Sequence, residues 1–146
     1  MDESEVYYRN TEEIEALVSS FENCTIAAAE FTHGAHLVLA LSYLHLSGLT
    51  VSEATNRMRE GLHRFIDHHS VDRQKYNETI TIFWIKLIRN FLNMTDAARS
   101  VAEVANEMLE TYGDSKLIFT YYSKDHLLSE EAREGWIEPD LKQLDF

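Results

Sequence analysis

The chain has 146 residues and one proline, Pro139, which lies almost at its end. Five glycines are spread thinly over the rest. Proline removes a backbone donor and clashes with the preceding helical turn, and glycine weakens a helix interior. A chain with so few of either has few places to break, so long helices are its natural elements. No run alternates at period two, so no sheet is expected. The fold class read from the sequence is all-α. A single helical domain over residues 1–146 is expected, a compact bundle of four to five main helices with short C-terminal helices and an extended tail.

Apolar spacing locates the helices. Ile14, Leu17, Val18 and Phe21 mark the first, from Thr11 to Glu22, with Thr11 as its cap. The second is expected from Thr25 to Leu46, ending at Ser47-Gly48. From Ala35 onward it is apolar nearly all round, which suits the central helix of a bundle. Thr50-Val51-Ser52-Glu53 fits a capping box and opens the third, with Ala54, Met58, Leu62, Phe65 and Ile66 inward. His68 to Asp72 read as the exposed turn after it. A fourth is expected over Tyr76–Leu92, and a fifth from a Thr95-Asp96 cap to Tyr112. A short sixth helix, Ser115 to Tyr122, and a single turn after Ser129 lead to the tail. There Trp136 and Leu141 are expected to clamp the chain over the bundle.

The net charge is −12, unevenly placed. Residues 1–30 carry eight acids and one base, residues 31–100 six acids and eight bases, and residues 101–146 eleven acids and four bases. The slightly basic middle holds six of the seven histidines. Strong acidity argues against a nucleic-acid surface, which needs clustered Lys and Arg. The longest apolar stretch, Ala35 to Leu46, is about half a membrane span, so no membrane partner is expected. One cysteine, Cys24, forms no internal disulfide, and the acidic opening Met1–Glu5 is unlike a secretion signal. A cytoplasmic location is expected.

The residues that carry chemistry lie in that middle. Glu30, His33 and His36 are each three apart, a spacing by which helices present carboxylate and imidazole to one metal. Glu60 and His63 repeat it on what reads as the wet side of the third helix. His36 borders the apolar run, so burial is hard to avoid, and a buried imidazole without partners costs about 1–3 kcal/mol. Its expected partners are His33, one turn away, with Glu78 and Thr81 from a facing helix. Tyr43 lies seven residues on, along the same stripe, and if the short sixth helix closes the bundle end, a hydroxyl from Tyr121-Tyr122 is expected to reach the His36 region. Gly34 marks close approach of another helix or of a ligand. No glycine-rich phosphate loop, cysteine pair or dinucleotide fingerprint is present.

Three stretches together resemble a family of small, largely uncharacterised, mainly bacterial helical proteins. They are Phe31-Thr32-His33-Gly34-Ala35-His36-Leu37, then Tyr76-Asn77-Glu78-Thr79-Ile80-Thr81, then Tyr121-Tyr122-Ser123 with Ala132-Arg133, Trp136 and Pro139-Asp140-Leu141. The resemblance spans residue 30 to the C-terminus. It implies a helical fold with a pocket where the motifs meet, and it brings no reaction with it. Many members have His where this chain has Asn77, which removes one ligand from a metal site. The matched polar positions are His33, His36, Tyr76, Glu78, Thr79, Thr81 and Tyr122.

Two readings of function follow. In the first, a buried pocket binds a divalent metal or a small polar ligand. His33, His36 and Glu78 would be metal ligands, and Tyr43, Tyr76, Thr79, Thr81 and Tyr122 would line the walls. If the protein is an enzyme, His36 is the general base and Glu78 orients it. In the second, the polar cluster only fixes helix register. The chain is then a non-catalytic interaction protein, a homodimer, with a surface drawn from Tyr7, Tyr8, Trp136 and Phe146.

Overall fold

The computed structural model describes residues 7–146, and the acidic opening Met1–Glu5 lies outside the described residues. Five helices make the bundle: α1 (Thr11–Glu22), α2 (His33–Leu41), α3 (Val51–His68), α4 (Glu78–Asn93) and α5 (Val101–Tyr112). Two short helices, α6 (Lys124–Leu127) and α7 (Glu130–Glu134), precede an extended tail. Among the described residues there is no strand, and no helix is long and apolar enough to cross a membrane.

α2 is the central element. It packs against α1, α3, α4 and α5, and Gly34, Ala35 and Leu37 to Leu41 are all buried. A helix apolar on every side finds such a place only when surrounded. Gly34 is one reason the neighbours come so close: a Cβ there would sit 3.2 Å from Leu109 on α5. Gly61 does more of the same between α3 and α1, where a Cβ would lie 2.4 Å from the ring of Phe21.

Each main helix starts at a side-chain cap, which satisfies one of its free N–H groups. Asn10, Thr32, Thr50, Asn77 and Ser100 serve α1 to α5 in turn, and Thr50 with Glu53 forms the expected capping box. The cap of α1 is Asn10 and that of α5 is Ser100, in place of Thr11 and the Thr95-Asp96 pair. The second helix begins at His33, not Thr25, because α1 closes with a Schellman turn. Thr25 N–H donates to Ser20 O at 2.8 Å and Cys24 takes φ 58°, which turns the chain out of line. A 3₁₀ turn at Ala28–Glu30 follows, so Glu30 is not on the helix that carries His33 and His36. Beyond Leu41 the helix widens into a π turn, Ser42–Leu46. The expected sixth helix is a 3₁₀ segment, Ser115–Thr120.

The tail is stitched down by polar side chains. Thr79 Oγ1 donates to Gly135 O at 2.8 Å and accepts from Ile137 N–H at 3.2 Å. Tyr122 donates to Ile137 O at 2.7 Å, and Asp140 accepts from both N–H and Oγ of Ser123. Lys86 Nζ lies 4.5 Å above the Trp136 ring. Leu141 contributes its backbone N–H, donated to Tyr121 O, while its side chain is 58% exposed. The clamp therefore rests on Trp136 and backbone hydrogen bonds, not on the Leu141 side chain.

Candidate functional site

A cavity of 320 Å³ opens where the start of α2, the end of α3 and the start of α4 converge. Phe31, Leu62, Phe65, Ile66, Val71 and Ile80 supply apolar walls. His36, Lys75, Tyr76, Asn77 and Thr81 supply the polar lining. A second Schellman turn shapes the wall at the end of α3. Val71 N–H donates to Ile66 O at 2.9 Å and Ser70 takes φ 55°, which brings Val71 back over the helix it has just left.

Most of the polar lining is already engaged. Tyr76 donates its hydroxyl to Glu78 Oε1. Asn77 Oδ1 caps Ile80 N–H at 3.0 Å, and its amide donates to Leu127 O at 2.8 Å. Thr81 donates back to Asn77 O at 3.1 Å. Among the buried polar groups of the lining, His36 is the exception. It lies in the first turns of α2, beyond the Thr32 cap, and its ring lines the cavity, yet Nε2 is buried and has no hydrogen-bond partner. Burial, helped by the charge of His33, lowers its pKa from 6.5 to about 4. The imidazole is therefore neutral near pH 7, with one donor and one acceptor nitrogen.

The other expected members of the site go elsewhere. His33 donates through Nε2 to Tyr112 O at 3.2 Å and stands edge-on to Trp84. Glu78 is held by Arg59 through both oxygens and receives the Tyr76 hydroxyl. Burial works against that carboxylate, but the hydrogen bonds from Arg59 and Tyr76 outweigh it and keep the pKa low. Tyr43 donates from the π turn to Glu22 at the end of α1 at 2.9 Å, and Arg57 grips the same carboxylate. Burial first, then Glu22, push the Tyr43 hydroxyl pKa up. Thr79 and Tyr122 serve the tail, as described above. His33, His36 and Glu78 thus do not share a coordination sphere. Among the described residues no group of three or more His, Cys, Asp or Glu side chains is arranged to hold a metal ion.

Of the expected site residues, the cavity gathers His36, Tyr76 and Thr81. Asn77, Lys75 and the apolar walls were not foreseen in it. Of the hydroxyl–carboxylate–guanidinium group at Tyr43, Glu22 and Arg57, the last two line a second concavity of 440 Å³. The three side chains satisfy one another, which suits a structural clasp. His69 was expected in an exposed turn. It instead caps the end of α3 with a buried Nε2 that lacks a partner, its ring 4.4 Å from Phe65. Among the aromatics considered for a contact surface, Tyr8 exchanges two hydrogen bonds with Asn106. Phe146 packs on Phe83 and Tyr121, and Trp136 packs on Tyr122. Tyr7 is 68% exposed.

No protein-family model matches the chain, and no curated protein or solved structure is detectably similar to it.

Proposed function

We propose that the protein binds a small, mainly apolar molecule in the cavity beside His36, with one hydrogen-bonding group of that molecule meeting the imidazole. The observation that carries this reading is the buried Nε2 of His36 without a partner, beside a mainly apolar cavity whose other buried polar groups already satisfy one another or the backbone. Leaving such an atom unpaired costs about 1–3 kcal/mol, a cost that a ligand hydroxyl or amide would recover. Sites are commonly held at this kind of expense to stability. The volume lies at the low end of small-molecule pockets, which favours a ligand of one ring or a short branched chain. Nε2 itself is sealed, so binding needs the imidazole to turn about its soft Cβ–Cγ torsion. A hydroxyl suits either tautomer of the neutral ring, since it both donates and accepts.

This reading takes the pocket as mainly apolar and anchored at His36, where the sequence suggested a polar or metal-filled one. Its test is a calorimetric titration with 4-ethylphenol and with ethylbenzene, which lacks the hydroxyl. The expected result is 4-ethylphenol binding about tenfold tighter than ethylbenzene, with the advantage lost in His36→Leu, as one neutral hydrogen bond warrants. Equal affinity of the two compounds, or an advantage that survives in His36→Leu, overturns it.

A further inference from the structure

The charges around this cavity are one-sided. No Asp or Glu lines it, and Lys75 is its one charged lining residue. Of the acids next to this lining in sequence, Glu30 borders a different concavity, with Thr32 and Ala35, and the others are engaged. Asp67 is gripped by Arg73 at 2.6 and 3.0 Å, and Glu78 by Arg59. Asp72 turns its Oδ1 to the N–H of Gln74 at 2.9 Å. Lys75 itself forms no ion pair among the described residues. It ends the 3₁₀ turn Arg73–Lys75 and is exposed, so its ammonium stays at the wet rim while His36 lies within. In a chain of net charge −12, this hollow is lined by a lone cation and a neutral imidazole.

We propose that the ligand is a small carboxylate with an apolar, preferably aromatic body. The carboxylate pairs with Lys75 at the rim, where it keeps part of its hydration, and the body lies against Phe31, Phe65 and Ile80. This inference rests on the proposed function and adds the ligand's charge to it. A rim pair of this kind is weak in energy and strong in selectivity: it favours an anion modestly and repels a cation by a similar factor. The aromatic preference follows from the rings of Phe31 and Phe65, 4.8 Å apart in the wall, which offer edges and faces to a third ring.

The test uses three compounds that share one 4-hydroxyphenyl body and differ in charge: 3-(4-hydroxyphenyl)propionate, 4-ethylphenol and tyramine. The full chain and its Lys75→Met variant are titrated at pH 7.5 by calorimetry. The wild type is expected to bind the propionate at least threefold tighter than 4-ethylphenol, and tyramine at least threefold more weakly. Lys75→Met, a change at an exposed position, is expected to erase both differences, so that the three compounds bind within twofold of one another. Binding of 4-ethylphenol with no preference for the propionate overturns the charge inference and leaves the cavity reading standing. A preference that persists in Lys75→Met overturns the assignment to that residue. Failure of all three compounds to bind at millimolar concentration overturns the cavity reading, and the charge inference with it.

Discussion

Phe31 lies almost parallel to the imidazole of His36, with ring centroids 5.8 Å apart and planes 20° apart. The phenyl ring covers the imidazole and offers it no hydrogen bond. That contact helps keep His36 dry and neutral, so acid should act on it before most of the fold. The unfolded chain takes up this proton near pH 6.5 and the folded chain only near about 4. Within that window the unfolded state binds more protons, so stability falls as pH falls from 6.5 toward 4. The interval caps the effect at about 3 kcal/mol. Urea unfolding of wild type and His36→Leu at pH 7.5, 6 and 5 should show this loss in the wild type and its absence in the variant.

Asn77 has two tasks, capping α4 and holding the carbonyl of Leu127. Asn77→Ala removes both and is expected to cost about 2–3 kcal/mol. Asn77→Ser keeps a capping oxygen, loses the donor to Leu127 and adds no buried charge, so it should cost less than the alanine variant. Thermal unfolding of both variants checks the order; equal losses would show that the cap contributes nothing.

Arg59 and Glu78 form a pair in which the carboxylate is 12% exposed and the guanidinium 34%. Solvent at the arginine screens the pair, so Arg59→Met should cost about 1 kcal/mol at pH 7. The folded-state pKa of Glu78 is depressed, so its contribution is present above the usual carboxylate range and is lost as pH falls through the lowered value. The gap between wild type and Arg59→Met should therefore close on acidification, as read by denaturant midpoints at pH 7 and pH 3.5.

Ser70 sits at φ 55°, a conformation that costs a residue with a side chain about 1 kcal/mol. Ser70→Gly relieves this and is expected to raise stability by several tenths of a kcal/mol, the gain being reduced by the greater freedom of glycine in the unfolded chain. A fall in melting temperature would contradict the Schellman geometry assigned to the end of α3.

The bundle was legible because its signals are local and redundant. The apolar stripes of α1, α3, α4 and α5 and the capping box at Thr50 each name their own helix. The central place of α2 followed from the apolar run after Ala35. The site was only partly legible. Reading Glu30, His33 and His36 as one face assumed an unbroken helix, but Cys24 takes a positive φ where glycine is the usual signal, and the helix starts afresh at the Thr32 cap. Spacing places side chains on a face and does not say which partner they choose. Glu78 lay within reach of Arg59 as well as of the core, and the arginine took it. Thr79 and Tyr122 were recognised as polar groups in an apolar setting, but their partners are backbone groups of the tail, which leave no mark in a sequence. Asn77 was read as a lost ligand. Its position before an apolar-periodic run, with a free side-chain oxygen, was the signal of a helix cap.

The central claim is that the His36 imidazole meets the ligand. Nuclear magnetic resonance of the imidazole nitrogens tests it most directly, in protein labelled with ¹⁵N at histidine and titrated with 4-ethylphenol. The account predicts that the Nε2 resonance of His36 moves and saturates with the affinity found by calorimetry, while those of His45 and His68 stay in place. Saturable binding that leaves the His36 nitrogens unmoved would contradict it.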